Sequence, residues 1–201
     1  SIVTGSSSGV GAATVKMIVA RGGKVVINFS RSSDAAKKIA EECEELGGQV
    51  LLCQADVSKD EDCRRMVDEA LKKWGRLDVL VNNAGTTKFV QHPDLDGLSS
   101  EDFQHIYSVN VIGPFQMVRA AHYALKVSGE GSIVNVASIA GIKGVGSSIA
   151  YAASKGALIT IGKSLARVMG PEVMVNTVCP GFITGDWLAE GMGKETYEAS
   201  K

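Results

Sequence analysis

Short apolar runs alternate with longer amphipathic segments along this chain. The runs are Ile2–Val3, Lys24–Phe29, Gln49–Gln54, Val79–Asn82, Ser132–Ala137 and Met174–Val178. Most are apolar along their whole length, which is typical of parallel strands covered by helices on both faces. Their alternation with helical segments is the pattern of repeated βα units. The chain is therefore predicted to be an α/β protein with a doubly wound parallel sheet in three α/β/α layers.

Apolar residues spaced three and four apart mark the segments between the strands as helices. One stripe consists of Ala36, Ile39, Ala40, Cys43 and Leu46, and the next of Met66, Val67, Ala70, Leu71 and Trp74. Both stripes are interpreted as packing against the sheet. Gly47-Gly48 and Gly75 stand where helix C-terminal caps belong. Longer helices are predicted over Ser100–Val127 and Ile149–Met169.

The composition fits a single domain over residues 1–201, because 45% hydrophobic and 21% charged residues allow one sizeable core. A net charge of −1 offers no basic field for nucleic acid or an anionic bilayer. No apolar run approaches the ~20 residues that cross a membrane, and the N-terminus has no signal-peptide pattern. We expect a cytoplasmic protein with no nucleic-acid or membrane partner.

Cysteines and histidines form no metal-binding pattern in this sequence. They are Cys43, Cys53, Cys63, Cys179, His92, His105 and His122. There is no C-x-x-C pair, and no histidine stands at ligand spacing from a cysteine. We expect reduced, packed thiols, ordinary structural roles for the histidines, and no metal site.

A glycine-rich turn joins the first strand to the first helix. It reads Thr4-Gly5-Ser6-Ser7-Ser8-Gly9-Val10-Gly11 and precedes the helical segment Ala12–Ala20. Backbone N–H groups and the positive end of a helix dipole suit a pyrophosphate, and glycines let it approach closely. Ser and Gly clusters also form plain turns. The predicted cofactor-binding residues here are Gly5, Ser7, Ser8, Gly9, Val10 and Gly11.

The end of the second strand bears on the choice between NAD and NADP. The usual NAD fingerprint places an acidic residue there, about 20 residues after the turn, to bind the ribose 2′-OH. This chain instead has Ser30, Arg31 and Ser32, with no carboxylate. These side chains could receive a 2′-phosphate, so NADP(H) is favoured and NAD(H) is the alternative. Arg31 could also be an ordinary solvated charge.

Two further strand ends are predicted to reach the cofactor crevice. Asp56-Val57 follows the third strand, and Asn82-Asn83-Ala84-Gly85 ends the fourth. Ligands of doubly wound sheets bind beyond the carboxyl ends of the strands. Asp56 could accept a hydrogen bond from the adenine amino group, and Ala84-Gly85 could lie against the ribose. Asn and Asp also favour plain strand-to-helix turns.

The segment Tyr151-Ala152-Ala153-Ser154-Lys155 is the strongest candidate for chemistry. Residues four apart on a helix share a face, so the Lys155 ammonium can lie beside the Tyr151 phenol. A free tyrosine has a pKa of about 10, and a nearby cation lowers the pKa toward the neutral range where acid/base exchange is efficient. An isolated Tyr-x-x-x-Lys also occurs on helices by chance, so its neighbours decide.

Two upstream residues support this hypothesis. Ser138 follows a predicted strand 13 residues before Tyr151, where its hydroxyl can reach a carbonyl oxygen held by the phenol. Asn110 lies within the long predicted helix, where an asparagine is mildly unfavourable. That placement favours a special role for Asn110.

An ordered set of motifs resembles the short-chain dehydrogenase/reductase family over essentially the whole chain. The set is TGSSSGVG, NNAG, Asn110, Ser138, YAASK and Cys179-Pro180-Gly181. The stretches VNVIGPF, GSIVNVAS and VNTVCPG are similar to members that include 3-oxoacyl carrier-protein reductases and glucose dehydrogenases. The resemblance implies a Rossmann fold and an NAD(P)(H)-dependent oxidoreductase that reduces a carbonyl or oxidises an alcohol of a small molecule by hydride transfer.

The resemblance also implies the roles of four catalytic residues. Tyr151 is the general acid in reduction and the base in oxidation. Lys155 holds the nicotinamide ribose hydroxyls and lowers the pKa of Tyr151, while Ser138 positions and polarises the substrate oxygen. Asn110 anchors a water that connects Lys155 to solvent.

Two positions depart from the family pattern at the cofactor site. NADP-preferring members often carry a basic residue just before the second glycine of the turn, where this chain has Ser8, so Arg31 is the main support for NADP(H). After Pro180-Gly181-Phe182-Ile183 the family usually has a threonine two residues on that contacts the nicotinamide carboxamide. Here Gly185 occupies that position and Thr184 stands one residue early. Either Thr184 or the preceding backbone is expected to make the contact.

Expectations for the chain ends and the assembly follow from the same resemblance. Ser1 leads at once into the first strand, and Lys201 ends a polar, helix-like stretch. The start of the first strand, the family's C-terminal substrate helices and its last strand are therefore expected to be missing. Family members are typically homotetramers built on the two long helices, so a homotetramer, or a homodimer, is expected.

Two functional hypotheses remain at this stage. The first is a reductase of a ketone, a sugar or a thioester-linked 3-oxo group. The alternative is a non-catalytic NADP(H)-sensing or scaffold protein on the same fold, since a fold alone does not determine function. The complete set of catalytic candidates favours the enzyme, because a sensor needs no proton relay.

Overall fold

Six parallel strands form one sheet in the computed structural model, which describes residues 1–185 together with 189, 191 and 198. The strands are β1 (Ile2–Val3), β2 (Lys24–Phe29), β3 (Gln49–Gln54), β4 (Val79–Asn82), β5 (Gly131–Val136) and β6 (Val173–Val178). They lie in the order β3-β2-β1-β4-β5-β6, with each neighbouring pair parallel. The predicted doubly wound sheet is confirmed, and strand ends differ from the prediction by one residue at β5 and β6.

Helices connect the strands and cover the sheet. They are α1 (Gly9–Val19), α2 (Ser33–Glu45), α3 (Asp60–Trp74), α4 (Ser100–Tyr107), α5 (Gly113–Val127), α6 (Ala140–Lys143) and α7 (Ile149–Met169). One core holds buried Val15 of α1 and Ala36 of α2, and a second holds Met66 of α3 and Met117 of α5. Burying a side chain of methionine size contributes roughly 1.5–3 kcal/mol. Most of the predicted apolar stripes therefore pack as expected. Leu46 is the exception, because it lies just past the end of α2 and is 55% exposed.

Glycines end α2 and α3 at the predicted positions. Gly47 has a φ of 79°, and the Gly48 N–H donates to the Cys43 carbonyl at 3.0 Å. Gly75 has a φ of 73°, and its N–H donates to the Leu71 carbonyl at 2.7 Å. The left-handed backbone at these caps strongly favours glycine.

The helix predicted over Ser100–Val127 is interrupted. A π-helical turn, Ser108–Ile112, separates α4 from α5. Pro114 has no N–H, so it cannot donate to the carbonyl of Asn110 four residues earlier. Pro114 is therefore a sequence signal for this break, and the π-helical turn places Asn110 behind the wall of the cleft described below.

The remaining sequence expectations concern thiols, membranes and the C-terminal stretch. All four cysteines are free, with Cys43, Cys53 and Cys63 buried. Within the described part of the chain, none of the helices is long and apolar enough to span a membrane. Most of the polar stretch predicted before Lys201 lies outside the described residues.

Candidate active site

A cleft opens at the carboxyl edge of the sheet, where the strand order reverses between β1 and β4. Ligands of doubly wound sheets bind at this switch point. The turns after β1 and β4 touch here, since a Cβ on Gly5 would lie 2.8 Å from the Ala84 Cα. The cleft volume is about 1330 Å³, larger than the roughly 300–1,000 Å³ of ordinary small-ligand pockets. It has room for a dinucleotide and a second ligand.

Most of the site residues predicted from the sequence line this cleft. They are Gly5, Ser7, Ser8, Gly9, Val10, Ser30, Arg31, Ser32, Asp56, Val57, Asn83, Ala84, Gly85, Ser138, Tyr151, Lys155, Pro180, Gly181, Ile183 and Thr184. Two others, Gly11 and Asn110, lie behind its wall. A Cβ on Gly11 would lie 2.5 Å from the Asn83 Nδ2, so Gly11 allows α1 to pack closely on the turn.

Asn28 holds the glycine-rich turn in place, although sequence reasoning passed over it. Its Oδ1 accepts from the Gly5 N–H at 2.9 Å, and its Nδ2 donates to the Ala55 carbonyl at 3.0 Å. The Ser6 N–H donates to the Asn28 carbonyl at 2.8 Å. A buried amide needs such partners. The available signal was an asparagine inside the otherwise apolar strand β2.

Thr4 and Asn83 tie the same turn to the end of β4. The Thr4 Oγ1 accepts from the N–H groups of Asn83 and Ala84, each at 3.0 Å. The Asn83 Nδ2 donates to the carbonyls of Thr4 and Gly5, each at 2.9 Å. The side-chain amide of Asn83, a predicted cofactor residue, therefore supports the turn, and the residue also lines the cleft.

The turn and the start of α1 fit a dinucleotide pyrophosphate. Gly9 begins α1 with a φ of 54°, and a Cβ on it would meet no atom within 4 Å. The first turn of α1 contains no acidic residue, so nothing opposes the positive end of its dipole. Across the cleft, a Cβ on Gly85 would lie 3.4 Å from the Lys155 Nζ. Both glycines thus keep open the space that a phosphate and a ribose need.

A charged recess adjoins the cleft beyond β2 and β3. It has a volume of about 390 Å³ and is lined by Ser30, Arg31, Gln54, Ala55, Asp56, Lys59, Asp62 and Arg65. Asp62 and Arg65 pair with each other at 2.6 Å. Arg31 and Lys59 have no ion pair with any described residue. The recess therefore holds two cations without an ion-pair partner among the described residues, against the one carboxylate of Asp56.

Tyr151 and Lys155 share one face of α7, as predicted. The Lys155 Nζ lies 5.6 Å from the centroid of the Tyr151 ring and donates to the Val136 carbonyl at 2.9 Å. Lys155 is only 3% exposed. Ser148 caps α7, because its side chain accepts from the Tyr151 N–H at 3.2 Å. The ammonium thus lies one helical turn from the phenol.

Ser138 joins this pair from the end of β5. Its hydroxyl forms a hydrogen bond with the Tyr151 side chain and accepts from the Ala140 N–H at 3.1 Å. The Ile139 N–H donates to the Pro180 carbonyl at 3.0 Å, which anchors this turn to the segment after β6. The structure therefore brings Ser138, Tyr151 and Lys155 together.

Burial dominates the protonation of this cluster. It raises the pKa of Tyr151 above its usual value, although the Ser138 hydrogen bond lowers it. Burial lowers the pKa of Lys155 to about 8, and the nearby Cys179 opposes that change. The pKa of Tyr151 thus rises, whereas the sequence predicted a lowering by Lys155, because desolvation of the phenolate outweighs the Ser138 hydrogen bond. The phenol is therefore protonated at neutral pH.

Asn110 is buried in the π-helical turn and bridges two elements. Its Oδ1 accepts from the Thr86 N–H at 2.8 Å, and its Nδ2 donates to the Thr86 carbonyl at 2.9 Å and to the Ser154 Oγ at 3.0 Å. The Ser154 hydroxyl donates to the Tyr151 carbonyl at 2.7 Å. Asn110 thus connects the loop after β4 to α7, and Ser154 is a bridging residue that sequence reasoning missed.

Other residues that the sequence did not single out complete the cleft wall. They are Asn28, Phe29, Ala55, Thr86, Phe89, Val90, Gln91, His105, Val109, Val136, Ala137, Ile139, Ala140, Val145, Gly146, Ser147, Phe182, Gly185 and Gly191. The Val90 N–H donates to the Ser147 carbonyl at 2.9 Å, and the hydroxyls of Thr87 and Ser147 lie 2.7 Å apart. These residues come from strand ends, helices and loops that are distant in the chain, so no local pattern marks them.

Proton exchange beside a dinucleotide crevice is the chemistry of nicotinamide-dependent oxidoreductases, and the site places the chain in that class. The family model described as short chain dehydrogenase matches residues 1–195. The chain belongs to the short-chain dehydrogenase/reductase family.

Similar proteins and a solved structure agree with this assignment. "Granaticin polyketide synthase putative ketoacyl reductase 2" of Streptomyces violaceoruber is 45% identical over 92% of this chain and 73% of its own length. A 3-oxoacyl acyl-carrier-protein reductase of Synechocystis is 35% identical over 96% of this chain and 77% of its own. A crystal structure described as "a putative short-chain dehydrogenase/reductase" from Burkholderia xenovorans superposes with a TM-score of 0.90 and 44% identity, covering 93% of this chain and 78% of that chain.

These findings confirm the predicted fold and reaction class. The protein is an oxidoreductase that acts on CH–OH or C=O groups and uses a nicotinamide cofactor. No finding supports the alternative of a non-catalytic sensor or scaffold.

Proposed function

We propose that this protein reduces the ketone of a 3-oxoacyl thioester or a related polyketide, with NADPH and with Tyr151 as general acid. The observation that carries the proposal is the cluster in the cleft. There the Ser138 hydroxyl bonds the Tyr151 side chain, and the Lys155 Nζ lies 5.6 Å from the phenol ring centroid. Asn110 is the fourth member of the proposed catalytic set, and its side chain bonds Ser154 of α7, the helix that carries Tyr151 and Lys155.

The substrate class is supported by the similar proteins and the cleft wall. The names of two similar proteins specify ketoacyl and 3-oxoacyl reductases, and a third, from Zymoseptoria tritici, is described as a probable tetrahydroxynaphthalene reductase. Near the cluster, the wall carries the apolar side chains of Phe89, Val145 and Phe182 together with polar Gln91 and Ser147. Such a wall suits a largely apolar ketone with a few polar groups.

In the proposed mechanism, the substrate carbonyl oxygen accepts hydrogen bonds from Ser138 and Tyr151. A nicotinamide held by Lys155 and the segment Pro180–Thr184 would supply the hydride chemistry at the carbonyl carbon. Tyr151 is protonated at neutral pH and donates its proton to the oxygen. Burial raises the pKa of Tyr151 and so makes it a weaker acid, and the donation therefore relies on the basicity of the alkoxide-like oxygen that forms during reduction. Ser138 stabilises the phenolate that remains, and the Lys155 ammonium adds a positive charge nearby.

Proton return to Tyr151 is assigned to the Lys155 side of the site. The Lys155 ammonium has a pKa of about 8, so it can exchange a proton near neutral pH. Asn110 lies at the same end, where its Oδ1 would be 3.5 Å from a Cβ on Gly85. In this proposal Asn110 holds the water through which the proton reaches Lys155.

The cofactor is assigned to the glycine turn and the strand ends around it. The start of α1 would hold the pyrophosphate, Asp56 and Val57 the adenine, and Lys155 the nicotinamide ribose. The segment Pro180–Thr184 would hold the carboxamide end. Its residues line the cleft beside Ser138, which supports this orientation.

NADPH is proposed over NADH because of the charged recess. Arg31 lines both the cleft and the recess, and Lys59 adds a second positive charge there. A ribose 2′-phosphate in the recess would form charge-assisted hydrogen bonds with Arg31, Ser30 and Ser32. Asp56 also lines the recess, where its Oδ1 accepts from the N–H and the hydroxyl of Ser58 at 3.0 and 2.7 Å. Its negative charge opposes the phosphate, but the positive charges of Arg31 and Lys59 outnumber it.

A homotetramer is the proposed assembly, with a homodimer as the alternative. α5 exposes Phe115, Tyr123 and Val127, and α7 exposes Val168 at 78% of its surface. Exposed apolar groups on long helices suit helix packing between subunits.

The cytoplasm stays the predicted compartment, since free thiols are typical of reducing environments. One domain over residues 1–201 stays the predicted organisation.

The substitution Tyr151→Phe tests the proposal, because it removes only the hydroxyl. Turnover should fall about 10²–10⁴-fold, while NADPH still binds. Turnover is measured as NADPH oxidation with a panel of 3-oxoacyl thioesters, cyclic aromatic ketones, small ketones and aldoses, and binding by NADPH fluorescence. The matched control is Tyr107→Phe, at the end of α4 and outside the cleft lining. Normal turnover by Tyr151→Phe would defeat the assigned mechanism, and NADPH binding without turnover on any ketone would defeat the assigned activity.

A further inference from the structure

The short helix α6 rests on α7 at the turn that carries Lys155. A Cβ on Gly141 would lie 2.5 Å from the Gly156 nitrogen and 2.5 Å from the Lys155 carbonyl carbon. From the other side, a Cβ on Gly156 would lie 3.2 Å from the Gly141 carbonyl oxygen. The two helices therefore touch backbone to backbone, and any side chain at Gly141 would have to push them apart.

The same short helix is bonded to Ser138. The Gly141 N–H donates to the Ser138 carbonyl at 3.1 Å, and the Ala140 N–H donates to the Ser138 Oγ at 3.1 Å. Ser138 and Gly141 are thus the two ends of one hydrogen-bonded turn. Because Tyr151 projects from α7, the height of this turn above α7 sets the separation between the hydroxyls of Ser138 and Tyr151.

We infer that Gly141 is a positioning residue, whose missing Cβ lets the Ser138 turn settle on α7 where the Ser138 hydroxyl meets Tyr151. The inference rests on the roles proposed above for Ser138 and Tyr151. The φ of Gly141 lies outside the left-handed region, so alanine fits its backbone conformation. Only the contact with α7 demands glycine.

A small displacement at this contact has a large chemical effect. Hydrogen bonds weaken steeply when their length and angle leave the usual range, and misplacement of a reacting group by about 1 Å can cost about 10²-fold in rate. The Ser138 hydrogen bond also lowers the pKa of Tyr151. Loss of that bond therefore has a signature in the Tyr151 titration that a general loss of stability does not have.

Gly141→Ala is the test, with two readouts. The kcat for ketone reduction should fall about 10- to 100-fold, with the KM for NADPH within about twofold of the original. The pKa of Tyr151, followed by NMR titration of ¹³C-labelled tyrosine without cofactor, should rise, as it should in Ser138→Ala. The double variant should show no further rise, because both substitutions remove the same hydrogen bond.

Gly162→Ala, on the helix α7 that carries Tyr151, is the matched control. A Cβ on Gly162 would overlap the Thr177 Oγ1 on β6, so this variant should lower the thermal midpoint without raising the pKa of Tyr151. Gly156→Ala supplies a milder disturbance of the α6–α7 contact and takes the place of Gly141→Ala if that variant does not fold.

Several outcomes would overturn the inference. One is an unchanged Tyr151 pKa in Gly141→Ala, or in Gly156→Ala if that variant is used. The other is a rise of the Tyr151 pKa in Gly162→Ala that equals the rise in Gly141→Ala. Because the titration needs no turnover, it separates this inference from the proposed function. Undiminished activity of Tyr151→Phe would defeat the function while the titration still reports on Gly141.

Discussion

The charged side chains that line the cleft and the adjoining recess differ in their exposure to solvent. Lys155 is almost fully buried, and its ammonium has a carbonyl partner on β5, because an unpaired buried ammonium would cost several kcal/mol. Arg31 and Lys59 stay exposed at the far end of the cleft and form no ion pair with the described residues. Cations without an ion-pair partner beside a binding site can attract an anionic group of the ligand.

Arg31→Glu is predicted to reverse the cofactor preference. A carboxylate at this position would repel a 2′-phosphate and could accept hydrogen bonds from ribose hydroxyls. The KM for NADPH should rise about 10- to 100-fold, and the KM for NADH should fall, in initial-rate assays at fixed ionic strength. Lys37→Ala is the control, since Lys37 lies on α2 beside Asp34. Equal changes in both KM values would contradict the prediction, and 2′,5′-ADP binding by calorimetry checks it without turnover.

Among the elements, α7 carries the largest share of the chemistry. Its first turn holds Tyr151, its second turn holds Lys155, and its N-terminus is capped by Ser148. Ser148 is fully buried, and its hydroxyl lies 3.5 Å from that of Thr87. The Ser148 hydroxyl thus stabilises the start of the helix by accepting from the N–H of Tyr151.

Ser148→Ala is predicted to destabilise the protein by about 1 kcal/mol, the usual effect of losing an N-cap. Urea denaturation followed by circular dichroism measures the free energy of unfolding. The matched control is Ser164→Ala, an exposed position within the same helix, where alanine's higher helix propensity should raise stability by a few tenths of a kcal/mol. A loss of the same size in both variants would show that the cap does not act as described.

Helices pack on both faces of the sheet, yet apolar groups stay exposed on α5, on α7 and on the edge strand β6, where Met174 is 60% exposed. Phe115 is 44% exposed and Val127 is 64% exposed. Exposed apolar groups of this kind suit contact with a further protein surface. The proposed assembly therefore uses the helix that follows the π-helical turn as well as α7.

Val127→Glu is predicted to lower the oligomeric state, because a carboxylate buried at a subunit contact lacks a partner. Size-exclusion chromatography with light scattering gives the mass. Leu95→Glu serves as the control at another exposed apolar position, 73% exposed on the loop between β4 and α4, and should leave the mass unchanged. A monomeric mass for the unmodified protein would rule out the proposed assembly.

Elements with a short-range signal were predictable from the sequence. Each of the predicted strands is present within one residue at either end, because buried parallel strands are continuous apolar runs between turns. The caps at Gly47 and Gly75 were also predictable, because they depend on one residue's φ. The break at Ser108–Ile112 was missed, since the pattern of apolar positions continues through it.

The residue types of the candidate site, and the helical spacing of Tyr151 and Lys155, follow from the sequence alone, because that spacing depends on the pitch of one helix. Only the tertiary structure decided the environment of these residues. It set the direction of the Tyr151 pKa shift, the support of the glycine turn by Asn28, and the approach of Gly141 to α7. These depend on burial and on contacts between residues distant in the chain. Desolvation and close packing arise only when the elements meet, so no local pattern encodes them.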